Sequence, residues 1–300
     1  MADIAGVLWR HGAPGSAAEV AIPKSLLSHA PMDLPPAESG APVDEIARAQ
    51  LARAARPASA ALGDGGGEPV STTSFELAIW SPEGAVGHQR SRAVGVVCAH
   101  ADAEPLLDGL AAAGIEATAL RPSAWALAQA VADGGPIRCV LDAGWSNASF
   151  VAAADGQVLF ERPLKSLGFR RVVAAVQERA RLSAGLARWV STVGRRQDRS
   201  LAAAVSASIQ PFGIKAADEA RASLAFVRRC WPDRFEPKLW IAGGGGDDEE
   251  YLDWMSAQLD VEVVPLREGK AASSAAAALG LARHAAGLLK AAGAATEVAA

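Results

Sequence analysis

Short apolar runs separated by turn residues form the clearest hydrophobic pattern in the chain, between residues 138 and 162. The three runs have the length of ordinary strands and lie at 138–141, 149–153 and 158–160. Asp155-Gly156 joins the second run to the third and is a strong signal for a two-residue hairpin turn. Residues 142–147 (Asp-Ala-Gly-Trp-Ser-Asn) join the first two runs and favour tight turns. The pattern therefore predicts a three-stranded antiparallel meander.

Upstream of the meander, the pattern predicts an alternation of strands and helices. The predicted strands are 19–22, 75–80, 92–100 and 115–120, and the predicted helices are 3–10, 43–55, 103–114 and 124–132. Residues 58–73 are rich in alanine, glycine, serine and proline, and we expect them to be a flexible linker. The last two strands and the helices that follow them make a β-α-β-α unit that leads directly into the meander.

Downstream of the meander, residues 166–206 are predicted to be helical. Pro211-Phe212-Gly213 is expected to break the helix before a long amphipathic helix at 216–230. The remaining predicted elements are a strand at 238–242, four glycines at 243–246, a helix to about 259, a strand at 261–265 and a final helix at 273–292. The acids at 247–250 suit the positive end of a helix dipole, so they mark the start of the helix after the glycines.

Charge and cysteine content limit the class of protein. The net charge of −4 argues against a nucleic-acid-binding protein, which would normally have a basic face. The three cysteines, Cys98, Cys139 and Cys230, lie far apart in apolar contexts, which favours reduced core thiols over a disulfide framework. Neither they nor the five histidines show metal-ligand spacing. Because no run of about 18 apolar residues is present, we expect a cytoplasmic protein.

The first candidate site is the turn that follows the first strand of the meander. Gly144 would let the backbone approach a ligand closely, and the turn N–H groups with Ser146 and Asn147 could cradle phosphate oxygens. Asp142, at the strand end, could hold a hydrated Mg²⁺ that bridges those phosphates. The alternative interpretation is an ordinary hairpin turn with a capping aspartate.

The second candidate site is the run of four glycines between a strand and a helix, 243–246. Bare backbone beside a helix N-terminus can accept the ribose or phosphate of a nucleotide. The run is not a dinucleotide fingerprint, because it lacks the Gly-x-Gly-x-x-Gly spacing. A flexible connection between strand and helix is the alternative interpretation.

The order of these elements resembles the actin/Hsp70/sugar-kinase superfamily, and within it the PilM-like proteins of type IV pilus assembly. The matching stretches cover about residues 20–285. They are Val20-Ala21-Ile22-Pro23-Lys24-Ser25-Leu26 with Leu34-Pro35, Ala113-Gly114-Ile115, Pro122-Ser123-Ala124-Trp125-Ala126-Leu127, Leu141-Asp142-Ala143-Gly144, Glu219-x-x-x-Ser223-Leu224, Ile241-Ala242-Gly243-Gly244-Gly245 and Ala278-Leu279-Gly280-Leu281-Ala282.

The resemblance implies an α/β, actin-like fold with duplicated ribonuclease-H-like domains that bind ATP between them. Residues 1–135 would form an incomplete N-terminal domain with an extra subdomain at about 20–90, residues 136–290 the C-terminal domain, and 291–300 a tail. The nucleotide-binding residues that it implies are Asp142, Gly144 and Ser146 in the second phosphate loop, Gly243, Gly244 and Gly245 in the adenosine loop, and Glu219 and Ser223 on the helix near the base and ribose.

The chain departs from the superfamily pattern at its start. Residues 1–19 do not contain the Asp-x-Gly-Ser/Thr hairpin that supplies the first phosphate loop. Losing two charge-assisted hydrogen bonds of roughly 1.5–3 kcal/mol each would weaken ATP binding by about two to four orders of magnitude. The expectation is either a truncated gene product or a degenerate relative that has kept the scaffold.

Three interpretations of the function are therefore open. The first is a cytoplasmic PilM-like scaffold of a type IV pilus or type II secretion platform, possessing weak or no nucleotide binding. It would bind the cytoplasmic tail of a PilN-like membrane protein at the inner face of the inner membrane. The alternative is an actin-fold ATPase or sugar-kinase-like phosphotransferase that uses Asp142 and Mg-ATP. A soluble α/β protein of another role is the third, less specific interpretation.

Overall fold

The structure is a computed structural model of the 300-residue chain. It describes residues 17–22, 24–35, 39–52, 75–80, 91–164, 166–192, 199–267, 273, 276–278 and 280–282. The predicted helix at 3–10 and the predicted linker at 58–73 lie outside these residues. The chain divides into two compact units with the boundary between Ala126 and Leu127, and the predicted domain boundary at 135/136 lies further along the chain.

The first unit contains two small sheets. Its elements are β1 (Ala17–Ile22), β2 (Ser28–Leu34), α1 (Val43–Leu51), β3 (Phe75–Trp80), β4 (Ser91–Ala99), α2 (His100–Ala112), β5 (Glu116–Pro122) and the first half of α3 (Ser123–Ala130). Strands β1 and β5 pair in parallel. Strand β4 is the centre of a three-stranded antiparallel sheet with β2 and β3 at its edges.

Helix α1 covers one face of the three-stranded sheet. Ala47 and Leu51 of this helix are buried with apolar residues of all three strands, including Phe75. A Cβ atom at Gly95 would overlap the side chains of Leu51 and Met32, so the absence of a side chain at this position lets the helix pack closely. The described part of this layer spans 28–99, whereas the extra subdomain was expected at about 20–90.

The second unit is built on one five-stranded sheet. Its elements are β6 (Ile137–Ala143), β7 (Ala148–Ala154), β8 (Gln157–Leu164), α4 (Arg170–Ala180), α5 (Ala184–Thr192), α6 (Arg199–Cys230), β9 (Phe235–Gly243), α7 (Glu249–Gln258) and β10 (Glu262–Pro265). The strand order is β10-β9-β6-β7-β8. Strands β6, β7 and β8 form an antiparallel meander, while β9 pairs in parallel with both β6 and β10.

The predicted meander is confirmed, including its second turn. Asp155 and Gly156 have φ values of +53° and +75°, which are the positive values that a tight two-residue hairpin turn requires. Strand β7 is buried along its whole length, because alanines and one phenylalanine let both of its faces pack closely. Strand β7 is therefore the part of the meander that lies deepest in this unit.

The predicted helix break at Pro211-Phe212-Gly213 is wrong, because α6 runs through these residues from Arg199 to Cys230. Proline removes one helical hydrogen bond but leaves the rest of the ladder in place. Phe212 is buried against the rings of Phe169 and Tyr251, so tertiary packing holds the helix together where its local sequence would end it. The segment 166–206, predicted as helical, contains two shorter helices before α6 begins.

The expectation of free core thiols is confirmed: Cys98, Cys139 and Cys230 are buried and unbridged. Burial raises the pKa of the Cys98 thiol from 9.0 to about 11, with Asp102 and Glu76 adding to the shift. Burial also raises the pKa of Cys139 and Cys230. Within the described residues, no helix is both long and apolar enough to cross a membrane.

Candidate functional site

Two loops lie side by side at one edge of the sheet of the second unit. Strands β6 and β9 are parallel neighbours, and Asp142 pairs with Ala242 while Ala143 pairs with Gly243. The chain therefore leaves both strands at the same level, and each strand is followed by one of the two candidate loops. In open α/β sheets this edge, beyond the carboxyl ends of parallel strands, is the usual place for ligands.

Asp142 lies where the two loops meet. Its side chain is partly exposed near the end of β6. A Cβ atom at Gly243 would come within 2.7 Å of the Asp142 Oδ1 atom and 2.6 Å of the Ala143 carbonyl oxygen. The bare backbone of the glycine loop thus packs directly against the carboxylate that was predicted to hold Mg²⁺.

The N-terminus of α4 fixes the loop between β6 and β7. The Phe169 N–H donates to the Gly144 carbonyl oxygen at 3.0 Å, and the Arg170 N–H donates to the Trp145 carbonyl oxygen at 2.9 Å. Gly168 lies so close to the loop that a Cβ atom there would overlap the Ser146 carbonyl. These contacts join the loop to the start of α4, and they occupy two N-terminal amides that could otherwise bind an anion.

Packing accounts for three of the four glycines at 243–246. Gly243 has a φ of +75°, and a Cβ atom at Gly245 would lie 2.8 Å from the Tyr251 ring. At Gly246 a Cβ atom would overlap the Ile241 carbonyl oxygen and come within 2.7 Å of the Ser273 Oγ atom. A Cβ atom at Gly244 would meet nothing within 4 Å, so the open side of the loop is at Gly244.

Polar contacts stabilise the C-terminal end of the glycine loop. The Arg267 guanidinium donates to the Gly246 carbonyl oxygen at 2.8 Å, and the Ser273 N–H donates to Asp247 Oδ1 at 2.7 Å. Asp248 caps α7, because its Oδ1 accepts a hydrogen bond from the Tyr251 N–H at 3.0 Å. The prediction that acids after the glycines start a helix is confirmed, and one of them also serves as its N-cap.

An aromatic cluster of Phe169, Phe212 and Tyr251 supports both loops. The ring centroids are 5.5 Å apart for the two phenylalanines, and Tyr251 lies 5.8 Å from each of them. Phe169 precedes α4, Phe212 is in α6 and Tyr251 is in α7, so the cluster joins three helices. Burial raises the pKa of Tyr251, with Asp248 adding to the shift. Sequence reasoning missed this cluster, because its members are far apart along the chain.

Glu219 and Ser223, on α6, both accept hydrogen bonds from a side chain of strand β8. Arg162 of β8 donates to Glu219 Oε2 at 2.5 Å and to Ser223 Oγ at 3.2 Å. Strand β8 is an edge strand, separated from β9 by β6 and β7. The structure thus brings Asp142 and Gly243 together, while Glu219 and Ser223 form a polar group with Arg162 that the sequence did not reveal.

The exposed ring of Trp145 is the other feature of the first loop that sequence reasoning did not place. Trp145 is 46% exposed, and the Arg188 guanidinium of α5 stacks over its ring at 5.0 Å. Ser146 is exposed and Asn147 is partly exposed in the same turn. Two of the predicted phosphate-loop side chains therefore border a tryptophan–arginine pair.

The residues present fit a magnesium ion held jointly with phosphates rather than by the protein alone. Among the described residues, no group of three or more histidine, cysteine, aspartate or glutamate side chains could hold a metal ion. Asp142 supplies a single carboxylate, and Mg²⁺ commonly binds through one or two carboxylates, water and substrate phosphates. The first phosphate loop was expected to be missing from residues 1–19. Of these the structure describes only 17–19, at the start of β1.

Comparison with solved structures shows which known folds the chain resembles. The chain matches a PilM–PilN type IV pilus biogenesis complex with a TM-score of 0.68 and 16% identity, covering 93% of this chain and 82% of that chain. It also matches the ethanolamine utilization protein EutJ from Carboxydothermus hydrogenoformans (TM-score 0.43, 19% identity, 61% of this chain and 60% of that chain). A further match is MreB5 of Spiroplasma citri bound to AMPPNP (TM-score 0.41, 12% identity, 60% and 62%).

No family model matches the chain, and no curated protein sequence matches it. The likeness to the PilM–PilN complex confirms the predicted fold class, α/β and actin-like, at 16% sequence identity.

Proposed function

We propose that this protein is a PilM-like scaffold of a type IV pilus or type II secretion platform. The observation that carries the proposal is the likeness of fold to the PilM–PilN complex over 93% of this chain. The helix-covered sheet of the first unit, spanning 28–99, overlaps the range of about 20–90 expected for the extra subdomain, and in this proposal it forms that subdomain. In this proposal the protein is cytoplasmic, lies at the inner face of the inner membrane, and binds the cytoplasmic tail of a PilN-like membrane protein.

The proposal includes weak or lost binding of ATP and Mg²⁺ at the two loops of the second unit. Asp142, Gly144, Ser146 and Asn147 would face the phosphates, and the open backbone at Gly244, between Gly243 and Gly245, would face the nucleoside. Two features support weakness. Trp145 places a large ring in the phosphate loop, and the amides of Phe169 and Arg170 already donate to loop carbonyls.

Partner binding is tested by titrating the full chain with labelled peptides from the cytoplasmic tails of bitopic inner-membrane proteins of the same organism. We expect one tail to bind with micromolar affinity, scrambled versions of it not to bind, and Asp142→Ala to leave its affinity unchanged. A folded protein that binds none of these tails would contradict the scaffold proposal.

Nucleotide binding is tested by calorimetry of the wild type, Asp142→Ala and the matched control Asp253→Ala. Asp253 is an exposed acid on α7 and has the same charge as Asp142, so it controls for the change in net charge. We expect the wild type and both variants to show no saturation below about millimolar Mg-ATP, which corresponds to about −4 kcal/mol.

The alternative function, an ATPase or phosphotransferase, is favoured by one observation: the Asp142 carboxylate lies against the glycine loop, as a shared phosphate–magnesium site needs. It predicts micromolar Mg-ATP binding and phosphate release by the wild type and Asp253→Ala, both lost in Asp142→Ala. That result would show that the site binds and hydrolyses ATP and is not degenerate.

A further inference from the structure

Positive charge is concentrated in one short part of the chain. Residues 170–199 contain eight arginines and two acidic residues, a net charge of +6, while the whole chain has −4, so the remainder has −10. The arginine side chains of this segment that the structure describes are all exposed: Arg170, Arg171, Arg179, Arg181 and Arg188. A basic surface on an otherwise acidic protein indicates an anionic partner.

Helix α5 adds large apolar side chains to this basic segment. Ala187, Val190 and Ser191 are its buried residues. Successive residues of an α-helix are about 100° apart, so Trp189 falls opposite the buried side and Leu186 falls at its flank. They are 41% and 43% exposed, respectively. Helix α5 therefore exposes two large apolar side chains outside the face that packs into the core.

Arg188, also exposed on α5, contacts the first candidate loop. Its guanidinium stacks on the ring of Trp145, which is 46% exposed. Three of the four exposed large apolar side chains of the described residues, Trp145, Leu186 and Trp189, thus lie on α5 or against it; the fourth, Ile214, is on α6. We call the surface formed by Trp145, Leu186, Arg188 and Trp189 the α5 surface.

We propose that the α5 surface docks on an anionic lipid bilayer. Tryptophan and leucine insert into the boundary between headgroups and acyl chains, while arginines bind headgroup phosphates with charge-assisted hydrogen bonds. Clustered arginines beside such residues are attracted to the negative potential of an anionic leaflet. This docking does not require nucleotide binding or the partner tail of the proposed function.

A bilayer fits these observations better than the other anionic partners. A nucleic acid would use tryptophan for base stacking and arginine for phosphates, but it gives an exposed leucine no comparable partner. An acidic peptide would match the charge alone. A lipid surface uses all three residue types, because its interface combines phosphates with hydrocarbon.

The experiment is co-sedimentation of the full chain with vesicles of phosphatidylglycerol and phosphatidylethanolamine, and with neutral phosphatidylcholine vesicles. The test variant is Leu186→Ser/Trp189→Ser, and Ile214→Ser, which removes an apolar side chain that is 37% exposed on α6, is its control. Arg188→Glu tests the charge, and Arg228→Glu, at an exposed arginine of α6, is its control. Circular dichroism and thermal unfolding check that every variant folds.

We expect the wild type to bind anionic vesicles at least about tenfold more tightly than neutral ones, with affinity that falls as salt rises. The double variant should lose about tenfold or more in affinity, and Arg188→Glu several-fold, while both controls bind like the wild type. Equal binding to neutral vesicles, or folded test variants that bind like their controls, would overturn the proposal. So would binding only to polyglutamate or single-stranded RNA, because that would identify another class of partner.

Discussion

A single glycine determines how closely the two candidate loops approach each other. At Gly243 the φ of +75° and the ψ of −169° fall in a region that essentially only glycine adopts, and a side chain there costs about 1–3 kcal/mol. A Cβ atom there would also meet the backbone of Ala143 and the Asp142 carboxylate, neither of which lies at the end of a long flexible side chain. Gly244 differs from Gly243 in both respects, since it has neither a positive φ nor a close neighbour.

Gly243→Ala should therefore lower the free energy of unfolding by at least about 2 kcal/mol, because backbone strain and steric overlap act together. Gly244→Ala should change it by less than about 1 kcal/mol, because the new methyl group enters open space. Urea unfolding of the two variants beside the wild type measures both values. Equal destabilisation by the two substitutions would show that the loop does not have the described backbone.

At the scale of secondary structure, the sequence predicted the elements whose signals are local. The meander, its Asp155-Gly156 turn and the strand–glycine–helix order could all be read from neighbouring residues. The continuity of α6 through Pro211 could not, because it depends on the contact of Phe212 with Phe169 and Tyr251.

In the candidate site, too, the features with local sequence signals were predicted and the contacts between distant residues were not. Asp142 and the glycine run were found from local motifs, and the sheet register then brought them together. The contacts that the sequence did not reveal join residues that are distant along the chain: Arg162 of β8 binds Glu219, and Arg188 stacks on Trp145. A single sequence gives no signal for such pairs, since nothing in the spacing of the two residues reports their contact.

The contact between α4 and the β6–β7 loop gives a test at this scale. Gly168→Ala should lower the free energy of unfolding by about 2 kcal/mol or more, because its methyl group would overlap the Ser146 and Trp145 backbone. Gly185→Ala, within α5, is the control. No atom lies within 4 Å of the Cβ position at Gly185, and alanine favours a helix over glycine by up to about 1 kcal/mol.

In thermal and urea unfolding, Gly168→Ala should be less stable than the wild type and Gly185→Ala as stable or more stable. If Gly168→Ala were as stable as the wild type, the loop would not be clamped by the N-terminus of α4.

On the scale of the whole molecule, the candidate loops, the aromatic cluster and the basic helices all lie in the second unit, between Leu127 and Arg283. Asp142→Ala changes the first loop and Leu186→Ser/Trp189→Ser changes α5, and the stacking of Arg188 on Trp145 links these two elements. Measuring nucleotide binding and vesicle binding for both variants therefore shows whether the loops and the α5 surface act separately.

Buried protonated groups in both units make the stability of the molecule depend on alkaline pH. The pKa of Cys98 in the first unit is about 11 when folded, against 9.0 for an ordinary thiol. Burial also raises the pKa of Cys139, Cys230 and Tyr251 in the second unit. Between pH 9 and pH 11 the unfolded chain releases these protons while the folded chain keeps them, so the unfolded state binds fewer protons.

The free energy of unfolding should therefore be independent of these groups below about pH 9 and fall as the pH rises towards 11. Urea unfolding at half-unit pH steps measures the slope. Because Cys139, Cys230 and Tyr251 contribute to the same slope, the informative comparison is with Cys98→Ala. That variant should be less stable than the wild type at pH 8 from the lost packing, yet its stability should fall less steeply between pH 9 and 11. An identical slope in the two proteins would mean that the Cys98 thiol ionises equally readily in the folded and unfolded chain, which its burial at 4% exposure argues against.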